Sequence, residues 1–231
     1  MLSIEEMKKS SAKYAVNKYV KDNMIIGLGT GTTVYYAILE LSKLVSQGYK
    51  LKFVPTSKDT EKLAKKHNLP LTTLNEFPKL DLTIDGADEI DKNLNMVKGG
   101  KGALLREKIL AKCSKKVVII VDETKLSSKL CEKAYLPVEV LPFGYKPCLL
   151  KLKNFQNVVD AKLRMKNSEP FTTDNGNFII DCKCHPLENP EKLEEKINMI
   201  PGILENGLFV RLADIVVVTK RNGTIKELER N

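Results

Sequence analysis

Met24-Ile25-Ile26-Gly27-Leu28-Gly29-Thr30-Gly31-Thr32-Thr33 decides the fold. A short apolar run ends in glycines, and apolar residues then recur at helical spacing from 34 to 44. Strand, glycine turn and helix in that order open a βαβ unit. The pattern continues in both directions. Helices are predicted over 4–20, 59–67 and 103–111, and strands over 51–54, 71–73, 82–84 and 117–121. Short, continuously apolar strands alternating with helices specify a parallel sheet covered on both faces.

The texture changes after Leu130. Pro137, Pro142 and Pro147 punctuate the chain, a helix is predicted over 147–153, and strands over 157–163 and 177–181. The turn Thr173-Asp174-Asn175-Gly176 precedes the second of these strands, and a further helix starts at Pro190. This α+β pattern predicts a second, smaller domain. A core strand over 212–219, turned at Asn222-Gly223 into 224–228, is expected to return to the first domain.

Composition narrows the function. The chain has 231 residues, 42% hydrophobic and 29% charged, which is ordinary for a globular protein. No apolar run approaches membrane-spanning length. Glu5 and Glu6 near the N-terminus fit neither a secretory signal nor a mitochondrial presequence, so a cytoplasmic location is expected. Lys and Arg number 38 against 29 Asp and Glu, a net charge of +9. The basic residues are mostly interleaved with acids, no nucleic-acid motif accompanies them, and aromatics are only 6%, so a nucleic-acid partner is not expected. The basic stretch from Lys98 to Lys116 suits a small anion. Five cysteines without CxxC spacing and two histidines predict reduced thiols and no metal site.

Three segments carry chemistry. The glycine turn places backbone N–H groups, a helix N-terminus and the hydroxyls of Thr30, Thr32 and Thr33 where an anion such as a sugar phosphate can bind. The dinucleotide fingerprint fails, because Thr32 stands where the last glycine belongs and no acid follows the second strand. Asp85-Gly86-Ala87-Asp88-Glu89-Ile90-Asp91 puts four acids at the carboxyl end of a strand, where ligands of parallel sheets bind. Asp85 and Asp88 suit sugar hydroxyls or proton shuttling, while Glu89 and Asp91 read as a solvated acidic turn. Lys98-Gly99-Gly100-Lys101-Gly102 leads into a helix bearing Glu107. Lys98 can neutralise an oxyanion. Glu107, between Leu104 and Ile109, reads either as a base or as a surface acid paired with a lysine. Together the segments fit proton abstraction next to the carbonyl of a phosphorylated sugar.

The chain resembles the ribose-5-phosphate isomerases of the A type. The resemblance is carried by Gly27-Leu-Gly-Thr-Gly-Thr-Thr33, Thr56-Ser57, Asp85-Gly-Ala-Asp-Glu-Ile90, Lys98-Gly-Gly100 with Leu105-Arg-Glu-Lys-Ile109, and Val121-Asp-Glu-Thr-Lys125. Leu136-Pro-Val-Glu-Val140, Thr173-Asp-Asn-Gly-Asn177 and Pro201-Gly-Ile-Leu-Glu-Asn-Gly-Leu-Phe209 extend it in family order over nearly the whole chain. The resemblance implies an α/β fold, a Rossmann-like parallel-sheet domain over 1–131 plus 209–231 with a smaller inserted α+β, ferredoxin-like domain over 132–208. It implies interconversion of ribose 5-phosphate and ribulose 5-phosphate in the pentose phosphate pathway, with no organic cofactor or required metal, in a homodimer or homotetramer. Glu107 is then the base, Asp85 and Asp88 handle ring opening and hydroxyls, and Lys98 stabilises the enediolate. Thr30, Gly31, Thr32, Thr33, Gly86, Ala87 and Gly99 bind substrate, with Lys8 and Lys125 at the phosphate end. Lys101 departs from the family pattern by replacing a third glycine, and Pro55 stands where a hydroxyl residue is common. A coenzyme A transferase-like enzyme with Glu107 as nucleophile is a rival reading, as is a non-catalytic sugar-phosphate sensor. The Asp85–Asp88 pair argues against the first. The short segment before residue 24, too small for a DNA-binding helix pair, argues against the second.

Overall fold

The computed structural model describes residues 1–230; Asn231, which the expected first domain included, lies outside the described residues. The chain divides into two compact units, one of Met1–Ala87, Arg106–Lys125 and the chain from Leu212 onward, the other of Asp88–Leu105 and Leu126–Arg211. The second unit is thus larger than the 132–208 segment expected from the sequence, since it also takes in 88–105, 126–131 and 209–211.

The first unit is built on a six-stranded sheet. Its spatial order is Ile225–Glu229, Ile215–Thr219, Val117–Asp122, Leu82–Asp85, Ile25–Leu28 and Lys52–Pro55. All neighbours are parallel except the two C-terminal strands, which form the expected hairpin. Ile26, Leu28, Leu82, Ile84, Val118, Ile120 and Val217 project from one face into a common core with Ala12, Ala15 and Val16 of α1 (Ile4–Tyr19) and Ala37, Ile38 and Leu41 of α2 (Thr32–Ser46). Val54 and Leu80 pack with Leu110 of α4 (Leu104–Cys113) in a separate cluster, and α3 (Lys58–Lys66) follows the Lys52–Pro55 strand. The predicted strand at 71–73 shrinks to a single bridge between Leu71 and Phe53. Two helix starts are fixed locally: Ser3 and Glu6 form a reciprocal capping box on α1, and Ser57 Oγ accepts the Thr60 N–H of α3.

The second unit carries a four-stranded antiparallel sheet ordered Ile203–Asn206, Leu136–Val140, Phe178–Cys184, Val158–Leu163. With α5 (Tyr145–Lys153) after the first strand in sequence and α6 (Pro190–Asn198) before the last, this is the βαββαβ ferredoxin-like arrangement. Val138, Val140, Ile180, Cys182, Leu152, Leu193 and Ile197 share its core. The Leu136–Val140 strand was masked in the sequence by Pro137. It is tolerated because Pro137 still accepts the Gly207 N–H at 2.7 Å, while the Gly207 carbonyl, which a residue 137 N–H would otherwise meet, takes the Lys98 N–H at 2.9 Å. Two smaller pieces also escaped the sequence pattern: Glu89–Ile90, Met96–Val97 and Leu208–Phe209 form a short sheet, and Met165–Lys166 pairs with Glu169–Pro170. All five cysteines are free, four of them buried. Among the described residues no helix is long and apolar enough to cross a membrane.

Candidate active site

In the first unit the predicted residues gather at the carboxyl end of the parallel sheet. The glycine turn follows the Ile25–Leu28 strand, and Asp85 ends the neighbouring one. Asp85 is 2% exposed. Its Oδ1 accepts the Gly86 N–H at 2.7 Å and the Thr30 N–H at 3.3 Å. Gly29 is required for that approach, because a Cβ there would sit 1.8 Å from Asp85 Oδ1. Gly31 has φ +140° and caps α2 without any side-chain bond, which leaves the first N–H groups of the helix to other acceptors. Lys8 of α1 donates to Thr32 Oγ1 at 2.9 Å, so an ammonium group stands at that helix start. Thr32 is exposed, whereas Thr33 is 9% exposed. Lys125 lies half-buried in the single 3-10 turn after the Val117–Asp122 strand.

Thr30 behaves differently from its neighbours. Its Oγ1 lies 2.7 Å from Thr56 Oγ1, 2.8 Å from Ser57 Oγ and 3.1 Å from Thr60 Oγ1. Thr60 in turn donates to Gly29 O at 2.9 Å, and Thr56 to Leu28 O at 3.0 Å. The hydroxyls of Thr56 and Ser57 therefore brace the glycine turn. Thr60 belongs to this cluster and was missed, although its spacing from the Ser57 cap is a readable signal.

Glu107 departs from one of the two readings the sequence allowed. It stands in the first turn of α4 and is 3% exposed, so it is not a surface acid. Lys108 beside it is 2% exposed. A buried charge of this kind is expensive unless it is partnered, and such groups concentrate at functional sites.

In the second unit, Lys98 is 3% exposed, and its Nζ lies 5.4 Å from the centre of the Phe209 ring. Its backbone N–H donates to Gly207 O at 2.9 Å. Asp88 accepts the Gly100 N–H at 2.7 Å. Gly99 has φ +101°, and a Cβ there would meet Leu104 and Pro137. Lys101, which replaces a family glycine, is exposed. The residue that must be glycine is Gly102, with φ +84°, where a Cβ would come within 2.5 Å of the Phe171 ring.

Glu89 and Asp91 correct the sequence reading. They are 0% and 7% exposed, not a solvated turn. Glu89 accepts the backbone N–H groups of Cys131, Glu132, Lys133 and Ala134 at 2.7–3.3 Å. Asp91 Oδ1 accepts from the N–H of Asn93 and of Asn95. Both acids organise loops. Arg164, which donates to the Gly99 and Gly100 carbonyls, and its partner Asp181 had no local signal in the sequence. A cavity of about 510 Å³ in the first unit, between the Lys52–Pro55 strand, α3 and α4, is lined by none of the predicted site residues. Among the described residues, no group of three His, Cys, Asp or Glu side chains is placed to hold a metal ion.

The family model for ribose 5-phosphate isomerase A (phosphoriboisomerase A) matches residues 52–223. A ribose-5-phosphate isomerase A from Bacillus mycoides is 46% identical over 96% of this chain and 98% of that protein. The corresponding protein of Pyrococcus horikoshii is 41% identical over 99% and 100%. Among solved structures, a D-ribose-5-phosphate isomerase in complex with phospho-erythronic acid superposes with a TM-score of 0.95 at 42% identity, over 99% of this chain and 100% of that one. The ribose 5-phosphate isomerase of Plasmodium falciparum gives 0.95 at 39% identity, over 98% and 99%. Matches of this identity spanning both chains end to end, on a sheet whose carboxyl end gathers the glycine turn and Asp85, show that the chain belongs to the ribose-5-phosphate isomerase A family.

Proposed function

We propose that this protein interconverts D-ribose 5-phosphate and D-ribulose 5-phosphate through an enediolate, within the pentose phosphate pathway. The observation that carries the reading is the burial of Glu107 and Lys98, each 3% exposed. Moving a proton between C1 and C2 needs a carboxylate base shielded from water and a cation for the charge that develops on oxygen. Glu107 takes the proton from one carbon and returns it to the other. Lys98 stabilises the enediolate oxygen. Asp85 and Asp88 serve ring opening and bind hydroxyls, Asp85 being held as an acceptor by the Gly86 N–H. The α2 start with Gly31, Thr32, Thr33 and Lys8, together with Lys125, receives the phosphate. Thr30 acts by bracing this turn. Gly86, Ala87 and Gly99 let the backbone approach the sugar. A homodimer or homotetramer and a cytoplasmic location go with this reading, and light scattering tests the first.

The decisive experiment is the rate of ribulose 5-phosphate formation from ribose 5-phosphate by the wild type and Glu107→Gln. The wild type is expected to turn over, and the variant to lose about 10²- to 10⁴-fold in kcat with KM little changed. A wild-type kcat in Glu107→Gln would place the base elsewhere. An inactive wild type would leave sugar-phosphate binding without catalysis.

A further inference from the structure

The peptide joining Gly99 to Gly100 is gripped from both sides. Its carbonyl oxygen, on Gly99, accepts from Arg164 Nη1 at 3.0 Å, while its N–H, on Gly100, donates to Asp88 Oδ2 at 2.7 Å. A trans peptide is planar, with C=O and N–H pointing in opposite directions, so a donor that fixes the carbonyl also fixes where the N–H points. Arg164 Nη1 reaches the next carbonyl as well, Gly100 O at 3.2 Å. The guanidinium is itself aligned. Its Nε donates to Asp181 Oδ2 at 2.8 Å, its other terminal nitrogen donates to Asp181 Oδ1, and it lies 5.7 Å from the centre of the Phe171 ring. The Arg164 backbone is anchored through its N–H to Ile179 O at 2.7 Å and through its carbonyl to the Phe171 N–H at 2.9 Å. Every residue in this chain of contacts belongs to the second unit.

From this we infer that Arg164, with Asp181 as its counterion, is a positioning residue: it locks the Gly99–Gly100 peptide with its N–H toward Asp88 and thereby sets the Asp88 carboxylate. The inference rests on the reading above that Asp88 acts on substrate. Its physical basis is the freedom of two successive glycines. Gly99 has φ +101° and neither residue has a side chain, so nothing local resists rotation of that peptide. A rotated peptide presents its carbonyl oxygen to the Asp88 carboxylate, two acceptors face to face, and the carboxylate moves. A planar guanidinium can hold both oxygens of Asp181 and two carbonyls at once, whereas a lysine ammonium has neither the fork nor the number of donors.

The test is kinetics of Arg164→Ala, Arg164→Lys and Asp88→Asn on ribose 5-phosphate, with thermal melts and with guanidinium chloride added at concentrations well below those that denature. For Arg164→Ala the expected result is a fall in kcat of roughly 10- to 100-fold, KM within about threefold, and several-fold recovery of kcat by guanidinium, which leaves the wild type unmoved. A purely structural arginine would lower the melting temperature without a kcat loss that guanidinium restores. Wild-type kcat in folded Arg164→Ala, or a loss that guanidinium leaves untouched, overturns the proposal. If Arg164→Ala does not fold, Arg164→Lys decides: at least tenfold lower kcat supports the proposal, and wild-type kcat overturns it. Asp88→Asn separates the two levels. Wild-type kcat there removes the role of Asp88 and the proposal with it, whereas an inactive Asp88→Asn beside a fully active Arg164→Ala removes the proposal alone.

Discussion

At the scale of single residues, Asp85 can lie against the first turn only because position 29 has no side chain. Gly29→Ala would place a Cβ 1.8 Å from Asp85 Oδ1, and the fixed backbone of the strand end leaves the carboxylate as the part that must move. The expected outcome is a drop of about 100-fold or more in kcat/KM, measured on ribose 5-phosphate, with the far-UV dichroism of the wild type retained. Unchanged kcat/KM would mean that the position of Asp85 is not critical. Gly102 and Lys101 make the complementary point. The sequence singles out Lys101 because it interrupts a glycine run, yet that side chain is exposed while the left-handed backbone falls on Gly102. Composition marks where glycines are; only the backbone angles and the space around each show which of them are needed.

At the scale of elements, acids that look like solvated charge turn out to hold loops in shape. Glu89 is fully buried and collects four consecutive backbone N–H groups from 131–134, a concave nest that includes Cys131 at φ +67°. Glu89→Ala strips those donors of their acceptor inside the protein. It is expected to destabilise the fold by about 3 kcal/mol, read from the shift in urea midpoint at constant slope. A change under about 0.5 kcal/mol would show that water replaces the carboxylate freely. The four hydroxyls of Thr30, Thr56, Ser57 and Thr60 work on the same principle. They tie the glycine turn to the start of α3, so the turn proposed to receive the phosphate is shaped by an element that carries none of the predicted ligands.

At the scale of the whole molecule, stability should show an acid limb that can be assigned. Asp81 accepts from Lys115 Nζ at 2.8 Å and from the Ile25 N–H at 2.9 Å, tying the edge of one strand to the loop after α4. The Lys115 ammonium, and next the Ile25 N–H, hold the Asp81 carboxyl below the usual carboxylate range. A lowered pKa in the folded state means that the folded protein binds the proton less readily than the unfolded chain does. The stabilisation is therefore full above the ordinary aspartate pKa of about 4 and is lost as pH falls through the folded value. Asp81→Asn is expected to cost about 1 kcal/mol at pH 7, with the gap to wild type closing below pH ~4 in chemical denaturation across pH. A gap independent of pH would assign the effect to packing.

Much of this was legible beforehand. Apolar runs at 24–26, 82–84 and 117–121, separated by helical spacing, specify parallel strands, because continuous burial on both faces leaves no room for alternation. The glycine turn, the Asp85–Asp88 acids, Lys98 and Glu107 stand out for the same local reason: residue type and spacing limit what a segment can do. Strand order, the burial of Glu107 and Glu89, and the partners of the Gly99–Gly100 peptide were not legible. Arg164 lies 65 residues from Gly99 along the chain and Asp181 a further 17 from Arg164, so no window of sequence contains the contact. The sequence by itself determined the main helices, the core strands of the parallel sheet and which side chains can do acid–base chemistry, since these are local properties. Only the tertiary structure decided which of those charges leave water and what holds them in place, because burial and orientation are set by residues brought together from distant parts of the chain.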